Sequence, residues 1–260
     1  MFIRIIKKLR NRNSDLKIKK DENGYFMNHS DLKIFSHDIA CIKGVFRHIF
    51  NREIYNFTAD SNSPLIIDAG ANIGLGVLYW KRKYPKARII AFEPSMKAYD
   101  SLIKNVQENK LTDVTCVNKA LSYQEGKQLF TTNEKISGSL IVEKNLESSY
   151  EVDTTPLHKY LQQKVDLLKI DVEGAEKFLI EDIRNNIANL NNIFLEYHSF
   201  VNDPQYLSKY LQLFEENGFR YFIEDEYKKT NHFIDKSAEL NQDMKLNIWA
   251  QRPSYSVKEN

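Results

Sequence analysis

Apolar positions along this chain follow two rhythms. Short apolar runs end on a polar residue, and between them apolar residues recur at helical spacing. Leu65-Ile66-Ile67 feeds Asp68, and the stretch from Leu65 to Pro94 predicts a strand, a glycine turn, a helix and a second strand closed by Glu93. Pro94 and Ser95 then open a helix in which Met96, Tyr99, Leu102, Ile103 and Val106 share one face. Val114 to Asn118 predicts a third strand, and Val165 to Ile170 another that delivers Asp171. Asn192-Ile-Phe-Leu195 runs into Glu196, Tyr197 and His198 in the same manner. Asp203 and Pro204 start a helix carrying Tyr206, Leu207, Tyr210, Leu211 and Phe214, which Gly218 stops; Phe219 to Ile223 and Lys245 to Ala250 supply the last strands. This alternation predicts an α/β fold with a mainly parallel sheet.

Three segments stand outside that alternation. Asp31 to Phe57, rich in Ile and Phe, predicts a helical or strand cap over the crevice. Gly126 to Glu143 predicts a hairpin or loop with Gly138 and Ser139 near a turn, and the polar stretch Glu224 to Asp243 an active-site loop. The resulting division is residues 1–60, a basic start and cap segment, and residues 61–253, one catalytic domain, for which 260 residues supply ample core.

Charge removes some partners. Thirty-seven bases nearly balance 35 acids, for a net charge of +2, so no nucleic-acid footprint is expected. Arg4, Lys7, Lys8, Arg10, Arg12, Lys17, Lys19 and Lys20 crowd the start, among Phe2, Ile3, Ile5, Ile6 and Leu9, a pattern suited at most to weak peripheral membrane contact. No apolar run approaches the roughly 20 residues that span a bilayer, and no secretory h-region is evident, so the expected compartment is the cytoplasm. Cys41 and Cys116 lack metal-ligand spacing and are expected in the core. Oligomeric state is not legible.

Chemistry gathers where strands end, because open α/β sheets bind ligands at the carboxyl ends of their strands. Gly70, Asn72 and Gly74 let the backbone bend and approach a ligand, and Glu93 stands where a ribose diol lies. Asn72 replaces the second glycine of GxGxxG and no GxxxxGK[ST] follows, which argues against a pyrophosphate or a triphosphate. A nucleoside without phosphate fits, and S-adenosylmethionine (SAM) is such a cofactor. Asp68-Ala-Gly70-Ala-Asn72-Ile-Gly74 resembles the [DE]xGxxxG motif of class I methyltransferases. Asp171 should face the same crevice, with Glu173 beside it and Glu176 at the positive end of the following helix. His198 is the general-base candidate, its ordinary pKa being about 6.5, with Asp171 acting alongside and Glu196 orienting the ring. The competing device is Mg²⁺ or Mn²⁺ on Asp171, Glu196 and His198; the reading adopted from sequence is metal-free.

IDAGANIG, AFEP, the NKAL of Asn118 to Leu121, the DLLKIDVEGAE of Asp166 to Glu176, and FLEYH together resemble the FkbM family of SAM-dependent methyltransferases, over roughly Ile66 to His198. The resemblance implies a Rossmann-like class I methyltransferase sandwich, with a mainly parallel seven-stranded sheet, a terminal antiparallel hairpin and here the N-terminal cap. It implies O-methylation of a hydroxyl on a sugar, glycan or related natural product. By position, Asp68, Gly70, Asn72 and Gly74 would line the methionine end of SAM, Glu93 its ribose, and Asn118 with Ala120 the adenine. Asp171 would lie beside the sulfonium and the acceptor. Two alternatives remain open: a nicotinamide-dependent oxidoreductase on a Rossmann-like fold, and a non-catalytic SAM-fold binding subunit.

Overall fold

The computed structural model describes residues 16–22, 24–132, 138–140, 149–227, 233–234, 238 and 241–253. An antiparallel sheet comes first, made of β1 (Lys19–Asp21), β2 (Gly24–His29) and β3 (Leu32–Ser36). Helix α1 (Ile39–Phe46) follows, capped by the Asp38 carboxylate on the amide of Ala40, and then a π-helical turn over Arg47–Asn51. The segment expected as a helical or strand cap is therefore both, hairpin and helix. Most of the basic start lies outside the described residues.

Next come β4 (Leu65–Ala69), α2 (Leu75–Lys83), β5 (Arg88–Phe92), α3 (Met96–Glu108) and β6 (Val114–Val117). A small sheet ordered β7-β10-β8-β9 branches off, from β7 (Ala120–Ser122), β8 (Gly126–Thr132), β9 (Gly138–Leu140) and β10 (Ser149–Pro156). Gly138 and Ser139, expected near a turn, sit in β9 and pair with β8, because an extended partner was available. β11 (Val165–Ile170), a 3₁₀ turn over Ala175–Phe178, α4 (Ile180–Asn186), β12 (Leu190–Phe200), α5 (Leu207–Glu216), β13 (Arg220–Asp225) and β14 (Gln242–Gln251) complete the chain. Much of the polar 224–243 stretch lies outside the described residues. Among the described residues no helix is long and apolar enough to cross a membrane.

The main sheet has seven strands in the order β13-β14-β12-β11-β4-β5-β6. β12, β11, β4, β5 and β6 pair in parallel, and β14 pairs antiparallel with both β12 and β13. Only β14 opposes the rest, which is the mainly parallel sheet with a terminal hairpin.

Alternation along the strands sorts the core into two layers. Leu65, Ile67 and Ala69 of β4, Leu168 and Ile170 of β11, and Ile193, Leu195 and Tyr197 of β12 bury under α4 and α5. Ile66, Leu167, Phe194 and Trp249 face the other way, toward α1, α2 and Trp80. Asn105 of α3 ties the N-terminal sheet to that layer: its carbonyl accepts from Phe35 N at 2.7 Å, and its amide donates to Phe35 O at 2.9 Å and Ile73 O at 2.7 Å.

Candidate active site

On the layer that faces the cap, three strands turn from apolar to polar as they near the carboxyl edge of the sheet. The stripes are Leu167-Lys169-Asp171, Phe194-Glu196-His198 and, in reverse chain direction, Trp249-Asn247-Lys245. Register aligns them: Lys169 lies opposite Asp68, and His198 opposite Lys245. The alternation that builds the core thus delivers ionisable groups to one edge of one face.

The glycine turn explains why the backbone can close on this edge. Gly70 has φ +86°, and a Cβ there would stand 1.8 Å from the carbonyl oxygen of Asp171. Any side chain would therefore force β4 and β11 apart. Asn72 adopts φ +49° and donates its backbone N–H to Glu93 Oε2 at 2.8 Å, while Ser95 N donates to Oε1 at 2.8 Å. Burial pushes the Glu93 carboxyl up to about 7 against those two amide hydrogen bonds. Gly74, at φ +83°, packs on Leu102 as it opens α2.

Lys169 is the centre of the turn. Its ammonium reaches Asp68 Oδ1 at 3.2 Å, Gly70 O at 2.5 Å and Asp171 Oδ2 at 3.5 Å, beneath the ring of Tyr55 at 5.8 Å. Burial opposes its charge, but Asp68, Tyr55 and Asp171 outweigh burial and hold the ammonium protonated. Asp68, Gly70, Asn72, Lys169 and Asp171 line one cavity, roofed by Cys41, Val45 and Ile49 of the cap.

The second group is built on β12. His198 is wholly enclosed, with Nδ1 2.8 Å from Glu176 Oε1 and Nε2 3.4 Å from both Glu173 Oε2 and Glu196 Oε1. Burial alone would strip its proton, but Glu173 and Glu176, with Glu196, hold the imidazole well above its ordinary value. Burial acts on Glu196 too, yet His198 and the Lys245 ammonium paired with it keep that carboxyl well below the usual range. Asp171 is pushed up to about 7 by burial and by the negative charge of Glu196, with Lys169 opposing.

Most of the expected residues meet here, with different partners from those the spacing suggested. Glu176, expected to stabilise a helix start, is buried and aims its carboxylate at His198. Asn118 donates to Glu93 O at 2.8 Å and Pro94 O at 3.2 Å, bracing the end of β5. Ala120 is buried with Phe130 and Val152 in the small sheet and does not line the cavity. Lys169, Tyr55 and Lys245 were not singled out from sequence. Lys169 carried a signal, since a lysine inside an apolar strand is rarely buried unless paired; Lys245 carried none, because its role depends on register.

A nucleoside cofactor with a charged amino-acid tail suits this cavity. Asn72 Oδ1 is a buried acceptor without a hydrogen-bond donor, on the wall of the cavity that Asp68, Gly70 and Asp171 share. Fold and site together define a SAM-dependent methyltransferase of the class I, Rossmann-like kind. The model of the Methyltransferase FkbM domain matches residues 68–221, more than half of the chain, and the protein belongs to that family. Methyltransferase sdnD of Sordaria araneosa is 32% identical over 54% of this chain and 68% of its own length. Methyltransferase 1 of Beauveria bassiana is 26% identical, covering 75% of this chain and 88% of that protein. The hexuronic acid methyltransferase AglP of Haloferax volcanii is 27% identical, covering 55% of this chain and 59% of that protein.

Proposed function

We propose that the protein methylates a hydroxyl group of a sugar or glycan, with Asp171 as the proton acceptor. The observation that carries this reading is the meeting of Asp171 with the cofactor turn: it lines the same cavity as Asp68, Gly70 and Asn72 and is about one-fifth exposed. SAM supplies a methyl group on a sulfonium, which an oxygen nucleophile takes as the carbon–sulfur bond breaks. Asp68 and Asn72 would receive the donors of the amino-acid tail, and Glu93 the ribose hydroxyls. Asp171 accepts the proton that the acceptor hydroxyl loses as its oxygen bonds to carbon.

His198 takes a different part from the base expected of it. Three carboxylates surround the ring, and an imidazolium has no lone pair to offer a hydroxyl proton. It is a positioning residue, holding Glu173 and Glu196 beside Asp171. A sugar acceptor is supported by the relative AglP, a hexuronic acid methyltransferase.

Calorimetry with SAM, S-adenosylhomocysteine and NAD tests the cofactor, repeated on Glu93→Ala. The first two should bind and weaken in the variant. Methyl transfer from radiolabelled SAM to hexuronic acids and neutral sugars tests the acceptor; label in none of these, from a protein that binds SAM, would sink the sugar reading. Binding of NAD without SAM would instead favour the nicotinamide enzyme, and SAM binding with no transfer to any hydroxyl acceptor the non-catalytic subunit.

A further inference from the structure

We infer that Asp171, Glu196 and His198 form a binding site for one divalent cation of the Mg²⁺ or Mn²⁺ type. Each offers one ligand atom, and the three atoms lie within 4.8 Å of one another. Ligands placed about 2.1 Å from a shared ion stand roughly 3 to 4 Å apart, so the cluster needs only a small contraction.

The imidazole is the observation that separates this cluster from an ordinary group of acids. Glu176 Oε1 accepts from Gly174 N at 3.2 Å and faces His198 Nδ1 at 2.8 Å, so Nδ1 is the nitrogen that donates. Nε2 is completely buried, makes no close hydrogen bond and points between Glu173 and Glu196; the ion would take the place of the proton that this nitrogen carries in the metal-free protein, so that its lone pair faces the metal. A carboxylate that holds one ring nitrogen so that the other faces a metal is the usual outer support of a histidine ligand. Tyr210 reinforces that support by donating to the backbone carbonyl of Glu176 at 2.8 Å.

Charge points the same way. Asp171, Glu173, Glu176 and Glu196 bring four carboxylates to one edge, more negative charge than the Lys245 ammonium paired with Glu196 and the Lys169 ammonium shared by Asp68 and Asp171 offset once His198 gives up its Nε2 proton. A divalent ion balances that excess with oxygen ligands it prefers. Lys245 and the ion would compete for Glu196. The site's existence is independent of the sugar reading; its role rests on it. A sugar hydroxyl is a weak acid and a carboxylate a weak base, and an ion beside the acceptor narrows that gap by lowering the hydroxyl's pKa.

The test is Mn²⁺ binding to the full chain after chelator treatment, followed by electron paramagnetic resonance and calorimetry without SAM or acceptor. One ion per chain is expected. Asp171→Asn, Glu196→Gln and His198→Ala should each weaken it at least about tenfold. Lys245→Met should tighten it, a direction that general damage to the site would not produce. SAM calorimetry on every variant reports whether the fold and cofactor site survive. No uptake at millimolar Mn²⁺ by a protein that binds SAM overturns the site, and so does uptake that all three ligand variants retain. Mn²⁺ uptake without SAM binding would leave the metal site standing and remove the methyl-transfer reading instead.

Discussion

The two faces of the central sheet are made from the same strands and do opposite things. Under α4 and α5 the stripe Leu65-Ile67-Ala69, with Leu168, Ile170, Leu195 and Ile248, stays apolar to the carboxyl edge. Beneath the cap, Ile66 gives way to Asp68, Leu167 to Lys169 and Asp171, and Phe194 to Glu196 and His198. One face supplies burial; the other uses the order that burial creates to hold charges which water would otherwise solvate. Groups so placed are stable only as a set, since a buried ion that loses its partner is far costlier than a missing methylene.

The largest effect is therefore expected on the polar face. Lys169→Met strands Asp68 as a buried anion and should cost about 3–5 kcal/mol, read as a fall in chemical-denaturation midpoint. On the apolar face, Leu195→Ala should cost about 2–5 kcal/mol through a cavity, while the molecules that remain folded bind SAM as before. Equal losses of SAM affinity in both variants would erase the distinction between the faces. Asp171→Asn removes a charge repelled by Glu196, so it should leave stability unharmed while turnover falls about 100-fold with SAM affinity nearly unchanged.

A smaller effect follows from Glu93. Its carboxyl is raised to about 7, and the ionised form is the better acceptor for ribose hydroxyls. The ionised fraction grows as pH rises through 7, so SAM affinity should increase about tenfold from pH 6 to pH 8. A flat profile would mean that Glu93 does not meet the ribose. The same raised value means that Glu93 opposes folding increasingly as pH climbs from the ordinary carboxylate range toward 7. The smallest effect belongs to the surface: Lys33→Ala breaks an exposed pair with Glu108 at 3.5 Å and should change stability by no more than about 0.5 kcal/mol.

Much of the fold was legible along the chain. Leu65 to Pro94 is a strand, turn, helix and strand because apolar spacing and three residues with positive φ are local properties. The candidate site was legible as a membership, since Asp68, Gly70, Glu93, Asp171, Glu196 and His198 all follow short apolar runs, although Glu196 and His198 lie within β12 rather than past its end. Its wiring was not. Glu176 looked like a helix-start acid because the sequence does not show that β12 carries His198 beside it, and Lys169 looked like one polar residue in an apolar run.

What the amino-acid sequence alone determined is the alternation of strands and helices, the tight glycine turn and the edge of the sheet where chemistry gathers, all consequences of periodicity and backbone freedom within a few residues. Tertiary structure decided which charge meets which. Lys169 faces Asp68 at a sequence separation of 101 residues and Lys245 faces His198 at one of 47, through strand registers that no local pattern encodes. Those registers are set by packing two apolar layers against one sheet, because a slip of one residue would turn every side chain of a strand to the other face.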